Sequence, residues 1–390
     1  MNSLLTEIKK VADQIRGVTY GANDAIDKPQ NGYIGLLRAN NIQNNCLNFD
    51  DLLYVPSHKV SSLQILKRGD ILIAASSGSL SIVGKAGVFK SDEKYTFGAF
   101  CKAIRPRTNI DASYLSHYFF TTEYRTIISS LAAGANINNL RNEHIDNLSI
   151  PLPPLAEQQR IAELLDTADH ILKLRESAIT KLDQLASTTF DEMYDALDAV
   201  STKSLGEILE LQRGASPRPI ADWMTEDEDG VNWIKIADAT ASDKYIFKCK
   251  ERIKKEAVAM TRYVKSGDFL LSNSMSFGRP YILKTDGCIH DGWLLIRDTK
   301  KVFEQDFLYA VLSCKTVKEQ FKKLATGAVV KNLNIDAVSK VKVKIPEKKI
   351  QKIFSEKMHE LEANKATHLK QLSIIKTLLS SLQHQSFAVN

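Results

Sequence analysis

The sequence has few of the residues that mark a secreted or metal-stapled chain. Its 390 residues include five cysteines, Cys46, Cys101, Cys249, Cys288 and Cys314, an odd number with no CxxC among them. No histidine pair stands near them at zinc spacing. A disulfide framework and a structural zinc are therefore not expected, and a reducing cytoplasm fits. No apolar run nears the ~18–20 residues of a membrane span. The N-terminal stretch MNSLLTEIKKVADQIRG is amphipathic and lacks a continuous apolar segment, so it does not read as a secretory signal. The excess of one charge sign is small, 52 basic residues against 46 acidic, net +6. That balance admits a nucleic-acid partner without requiring one. Five lysines and one glutamate crowd between Lys340 and Lys349, either a solvated face or a surface for a polyanion.

What is present has globular proportions, 44% hydrophobic and 25% charged. At roughly 100–200 residues per domain the length implies two or three domains. The chain also repeats itself. Leu5-Thr6-Glu7-Ile8 matches Leu205-Gly206-Glu207-Ile208, and Arg16-Gly17 matches Arg213-Gly214. Tyr33-Ile34 matches Trp233-Ile234, and Leu66–Leu72 matches Val264–Leu270 around a shared Gly-Asp. Gly134-Ala135 with Asn139-Leu140 matches Gly327-Ala328 with Asn332-Leu333, and Leu152-Pro153 matches Ile345-Pro346. These pairs keep one order at offsets of 193 to 200 residues, which marks a duplication.

Each half follows one plan. Short strand-like runs, Ile71–Ala75, Phe100–Ile104, Phe269–Ser272 and Trp293–Ile296, lie between turn residues. A helical stretch follows, Ala112–Leu131 in one half and Gln305–Leu324 in the other. Interleaved elements of both kinds imply an α+β fold, or an α/β fold with a mostly antiparallel or irregular sheet. A long helix then begins after Pro151, Pro153 and Pro154, and no Pro or Gly interrupts residues 156–197. Its seam runs through Ile161, Leu165, Ala168, Leu172, Ile179, Leu182 and Ala186. A second helix, from about Glu347, carries Phe354, Met358, Leu361, His368, Leu372, Ile375, Leu379 and Leu382 at the same spacing. About 40 residues make a helix of roughly 60 Å, longer than one such domain is wide. The two are expected to pair antiparallel. Leu152 aligns with Ile345 at an offset of 193, whereas Leu172 aligns with Leu369 and Phe190 with Phe387 at 197. The second helix thus carries four extra residues.

The run Pro151-Leu152-Pro153-Pro154-Leu155-Ala156-Glu157-Gln158-Gln159-Arg160-Ile161 resembles the central signature of the specificity subunits of type I restriction–modification systems. Ile345-Pro346-Glu347-Lys348-Lys349-Ile350-Gln351 stands where that family carries its second signature, without the double Pro and the Glu-Gln pair. The resemblance spans nearly the whole chain. It implies an α+β protein of two repeated target-recognition domains joined by two long helices, an antiparallel coiled coil with pseudo-two-fold symmetry. On that pattern residues 1–153 and 200–346 are the recognition domains, and 154–199 and 347–390 are the spacer helices. It further implies a cytoplasmic, non-catalytic reader of double-stranded DNA, one domain per half of a split target. Its partners would be two methyltransferase subunits and motor-nuclease subunits. S-adenosylmethionine, ATP and Mg²⁺ would belong to those partners, with no cofactor or metal in this chain. Leu165, Leu172, Ile179, Leu182, Leu361, Leu372, Leu379 and Leu382 would form the helix pair and its docking surface. The alternative is a coiled-coil adaptor without DNA specificity.

The motifs of an enzyme are missing. Gly78 to Gly84-Lys85 has five residues between its glycines and Ala86 where a phosphate loop needs Ser or Thr, so it reads as a turn. The one Pro-Pro, at 153–154, is preceded by Pro151-Leu152 and followed by Leu155, not by the amide or acid and the aromatic of an amino-methyltransferase. No HExxH occurs, and no catalytic residue is assigned.

DNA contact needs cations, amides and hydroxyls in loops. The first half offers Arg38, Asn40, Asn41, Ser76, Ser77, Ser79, Lys85, Asn136 and Asn138. The second offers Arg213, Ser216, Arg218, Lys235, Asn273, Ser274, Ser276, Arg279, Lys331 and Asn332. These are also ordinary turn residues. Arg38 aligned with Asp238 implies that the halves read different bases.

Overall fold

The computed structural model describes residues 5–132, 138–197, 200–239, 244–273, 278–325 and 333–388. The chain divides into two units, Met1–Glu176 with Lys370–Asn390, and Ser177–Leu369.

In the first unit a six-stranded sheet runs in the order Ala12–Arg16, Cys101–Pro106, Ile71–Ala74, Ala86–Val88, Cys46–Leu47, Ile42–Gln43. A three-stranded sheet places Tyr33–Leu37 between Tyr95–Phe97, which runs parallel to it, and the antiparallel Leu53–Pro56. Ile71–Ala74 is buried along its whole length, as a central strand covered on both faces must be. Its lower-face residues Ile71 and Ile73 join Ile104, Tyr114, Tyr124 and Ile128 in one core.

The second unit holds two five-stranded sheets. One orders Glu210–Arg213, Trp293–Arg297, Phe269–Ser272, Pro280–Leu283 and Tyr245–Ile246. The other orders Met224–Thr225, Glu251–Ile253, Val231–Ile234, Gly287–Ile289 and Arg262–Val264. Val231–Ile234 and Gly287–Ile289 are again a parallel pair.

The shared Gly-Asp is a turn with a buried charge. Gly69 (φ 92°) and Gly267 (φ 96°) take the left-handed conformation that a side chain resists. Asp70 then accepts the Lys67 amide at 2.8 Å, and Asp268 accepts that of Lys265 at 2.8 Å. Each carboxylate also receives an arginine fork. Arg105 Nε and Nη2 reach Asp70 at 2.9 and 2.6 Å. Arg297 Nε reaches Asp268 at 2.7 Å, with Nη2 on the other oxygen.

The family-like signature is a buried amide knot. Gln158, 1% exposed, donates to the Pro153 carbonyl at 2.8 Å and accepts the Asp111 amide at 2.8 Å. Gln351, also 1% exposed, donates to the Pro346 carbonyl at 2.9 Å and accepts the Glu304 amide at 2.8 Å. The second signature therefore keeps the group that matters although its sequence lacks the Glu-Gln pair. In both copies the knot ties the first turn of a long helix to the N-cap residue of an earlier helix of the same half, Ala112–Tyr118 or Gln305–Ser313.

The long helices run Leu155–Asp195 and Lys348–Phe387. In the first unit Ile161 and Leu165 share a core with Leu379, Leu382 and Phe387, and Lys376 Nζ meets Glu176 at 3.2 Å. In the second unit Phe190 packs on Phe354 with ring centroids 5.0 Å apart, and Lys365 Nζ meets Asp183 at 2.6 Å. The helix segments are antiparallel within each unit. Leu165 is fully buried, and Leu172, Ile179, Leu182, Leu361, Leu372, Leu379 and Leu382 are half-buried.

Three expectations are corrected. The helical stretches are each two helices, Ala112–Tyr118 with Thr122–Ala132, and Gln305–Ser313 with Lys315–Leu324. Buried Thr121 accepts the Tyr124 amide at 3.1 Å and so starts a new helix, a cap that apolar spacing does not reveal. Next, Leu5–Ile8 is not the counterpart of Leu205–Ile208. Ile8 and Leu205 are the equivalent residues: both are fully buried, and their amides donate at 2.9 Å to Leu148 and Val341 respectively. Leu5 is 47% exposed. Likewise Leu37, paired with Phe97, corresponds to Ile234, paired with Ile289. Both matches were three residues out of register, because short apolar strands resemble one another at several offsets. It follows that Arg38 corresponds to Lys235, and Asn41 to Asp238. The Arg38 amide donates to Asn41 Oδ1 at 2.8 Å and the Lys235 amide to Asp238 Oδ2 at 2.9 Å.

Candidate nucleic-acid interface

Two parallel strands end on the same side, and the loops that leave them become neighbours. In the first unit Leu37 leads into Arg38–Asn41, and Phe97 leads into Gly98-Ala99-Phe100. The Gly98 amide donates to the Leu37 carbonyl at 2.9 Å. The Phe100 carbonyl accepts the amides of Ala75 and Ser76 at 2.8 and 3.0 Å. Ser76-Ser77 pairs in turn with Asn138-Asn139. Arg38, Asn40, Asn41, Ser76, Ser77 and the Asn138 backbone are thus linked at one end of the sheet. Gly17 makes this possible: a Cβ there would lie 2.1 Å from the Gly98 carbonyl oxygen. Gly214 stands likewise against His290, at 2.0 Å. The repeated Arg-Gly is therefore a close-approach requirement.

Acidic partners organise the cluster, and Asp51, which the sequence alone presents as a solvated loop carboxylate beside Asp50, is one of them. Asp51 Oδ2 accepts from Arg38 Nη2 at 3.0 Å and from Asn40 Nδ2 at 2.7 Å. Asn41 is 2% exposed and donates to the carbonyls of Asn48 and Asp51, so its amide is committed inside the loop. Ser79 Oγ lies 2.8 Å from Ser81 Oγ, and Lys85 is exposed. Arg125 holds their loop by donating to the Val83 and Ser81 carbonyls at 2.6 and 3.1 Å. The Gly78–Lys85 segment is a turn, as its spacing implies.

In the second unit Asp291 is the hub. Its Oδ1 accepts from Ser216 Oγ at 2.7 Å, and Arg218 Nη2 lies 3.7 Å from Oδ2. Its main-chain carbonyl accepts from Arg213 Nε at 3.2 Å and from Asn273 Nδ2 at 2.8 Å. The Ser216 hydroxyl holds the Asp291 carboxyl below its ordinary range. Lys235 Nζ pairs with Glu251 at 2.6 Å. His290, beside Asp291, is pushed down by burial, and its Nδ1 accepts the Gly292 amide at 2.9 Å. Arg279 lies over the Tyr281 ring, 5.2 Å from its centroid. Asn136, Ser274, Ser276, Lys331, Asn332 and the Asn138 side chain lie outside the described residues.

Phe100 is a further residue that sequence reading misplaced. The apolar run Phe100–Ile104 predicts a strand, but the strand begins at Cys101, and Phe100 stands 70% exposed in the turn before it. The Gly98 and Ala99 that precede it are the available turn signal.

Chemically the two clusters hold cations, amides and hydroxyls in preset directions. Exposed ion pairs contribute at most about 1 kcal/mol. The Arg38 and Lys235 head groups can therefore exchange their carboxylates for phosphate or a base edge at small cost. Among the described residues no group of three or more His, Cys, Asp or Glu is placed to hold a metal, and no helix is long and apolar enough to cross a membrane.

Comparison with known proteins gives the same frame a context. The chain is 43% identical over 178 residues to the type I restriction enzyme StySPI specificity subunit of Salmonella potsdam, across 46% of this chain and 38% of that protein. It is 44% identical over 164 residues to the EcoKI specificity subunit of Escherichia coli K12, across 42% of this chain and 35% of that one. These matches span little more than a third of either relative. A structure solved for complex assembly and conformational transition of the type I R-M system superimposes with a TM-score of 0.63 at 16% identity, covering 99% of this chain and 98% of the other. At that identity it shows the fold. The family model for the type I restriction modification DNA specificity domain matches residues 5–184 and again 198–377, and the chain belongs to that family.

Proposed function

We propose that this chain is the DNA-reading subunit of a type I restriction–modification complex, with one recognition domain for each half of a split target. The observation that carries the reading is one frame built twice with different side chains at the same end of its parallel strand pair. Arg38 with Asp51 becomes Lys235 with Glu251, and Ala99-Phe100 becomes Asp291-Gly292. A conserved scaffold with altered base-edge chemistry is what reading two sequences requires.

The domains are residues 1–153 and 200–346, with 154–199 and 347–390 as spacer helices. Their partners are two methyltransferase subunits and motor-nuclease subunits, which bring S-adenosylmethionine, ATP and Mg²⁺. Exposed apolar side chains on the long helices support docking: Leu164, Ile171 and Leu174 in the first unit, Leu185 and Ile353 in the second. The chain itself is non-catalytic and works in the cytoplasm.

The test is a mobility shift with the methyltransferase partner, on target and unrelated duplexes across a salt series. Neutralising six or more phosphates costs on the order of 10³-fold in affinity between 50 and 200 mM salt. Steep salt dependence with target preference is expected. Salt-insensitive assembly without preference would leave a coiled-coil adaptor instead.

A further inference from the structure

Phe100 is a large apolar side chain placed among groups suited to base edges. Single exposed hydrophobics are common on protein surfaces, so its exposure of 70% carries little alone. Its position carries more. Its main-chain carbonyl is held by two amides, from Ala75 and Ser76, at 2.8 and 3.0 Å. Its turn adjoins Ser76-Ser77, which pairs with Asn138-Asn139, and follows Gly98, bonded to the strand end that leads to Arg38. The backbone beneath the ring is therefore fixed beside the first domain's polar loops, while the ring stands largely exposed.

The second unit shows what the position can lose. There the counterpart of Phe100 is Gly292, whose carbonyl accepts the Asn273 amide at 3.2 Å as that of Phe100 accepts the Ala75 amide. The frame therefore works without a side chain at this position, and the ring is not needed to build the turn.

On a major-groove base edge the apolar feature is the C5-methyl of thymine. We infer that Phe100 packs on a thymine methyl in the half-site read by the first domain and selects that base. The inference rests on the proposed DNA-reading function and deepens it. Arg38, Asn40 and the serines supply polar contacts, and Phe100 supplies the apolar one.

The test uses the full chain assembled with its methyltransferase subunits and a duplex bearing the target found by methylome mapping. Each thymine is replaced in turn by uracil, which removes only the methyl. Wild type should lose about four-fold in affinity at one position, the worth of one buried methyl. With Phe100→Ala the thymine–uracil difference at that position should vanish, and with Phe100→Leu part of it should return. Differences at all other thymines should be unchanged. A difference that persists in Phe100→Ala, or no sensitive position, would overturn the inference. So would a Phe100→Ala chain that no longer assembles with the methyltransferase, since the ring would then be a protein contact. Failure of the DNA-reading function is seen separately, as wild type binding target and unrelated duplexes equally.

Discussion

Asp166 on the first long helix faces His117 of its own domain, with Oδ1 3.0 Å from Nε2, while Ser113 donates to its other oxygen at 2.7 Å. In the second unit His359, the counterpart of Asp166, meets Asp306, the counterpart of Ser113, again at 3.0 Å. Both copies tie the long helix to its domain by a His–Asp pair, but the pair is built from different positions of the shared frame.

That bridge has a pH signature. The bond to His117 first, and that to Ser113, hold the Asp166 carboxyl below its ordinary range against the opposing effect of burial. A depressed carboxyl stabilises the fold above its unfolded pKa, and the contribution is lost as pH falls through the folded value. Wild type should therefore be more stable than Asp166→Asn at neutral pH. The gap should close below about pH 4. Urea unfolding of both proteins across pH 3–8 measures it, and a gap independent of pH would contradict the assignment.

The Asp70–Arg105 fork is the most buried ion pair described in the first unit, with side chains 1% and 15% exposed. Removing one partner leaves the other buried and unpaired, at a cost of about 3–5 kcal/mol. Asp70→Ala should lower unfolding stability by that order, and more than Arg68→Ala, whose partner Asp92 is 82% exposed. Denaturant titration ranks the two variants.

Gln158 and Gln351 should be equally costly to truncate. Each satisfies one amide and one carbonyl inside the protein, and each orphaned group costs about 1–3 kcal/mol. Gln158→Glu should destabilise too, because a carboxylate presents a second acceptor to the Pro153 carbonyl. Thermal unfolding of Gln158→Ala, Gln351→Ala and Gln158→Glu tests the equivalence. A silent Gln351→Ala would show that the second signature has lost the knot.

The spacing of the two half-sites should follow helix length. Gln158 and Phe190 are 32 residues apart, and their counterparts Gln351 and Phe387 are 36 apart. Four residues advance a helix by about 6 Å and little more than one turn, so an apolar seam keeps its face. Adding four residues near Ile179 and near Lys376 should lengthen the unread spacer by one or two base pairs, at about 3.4 Å each. Methylome mapping reads the change. An unaltered spacer would mean that the helices pack without measuring distance.

Legibility divided along physical lines. The duplication, the Gly-Asp turns, the strands at Ile71 and Phe269 and the two long helices are written in local chemistry. Positive-φ glycine, a short apolar run between turn residues and a three-four apolar spacing declare themselves within a few neighbours. The family resemblance also rests on a contiguous run, although the amide of Gln351 shows that the second copy kept more than its letters suggest. The exact repeat register was not local. Ile8 and Leu205 are equivalent because of amide bonds to Leu148 and Val341, more than 130 residues away along the chain. The acidic partners were hidden for the same reason, since Asp51 and Asp291 meet their cations and hydroxyls across 11 to 78 residues. Phe100 depended on folding most of all. An aromatic beside a strand is ordinarily core, and its exposure follows from where two distant amides hold its carbonyl.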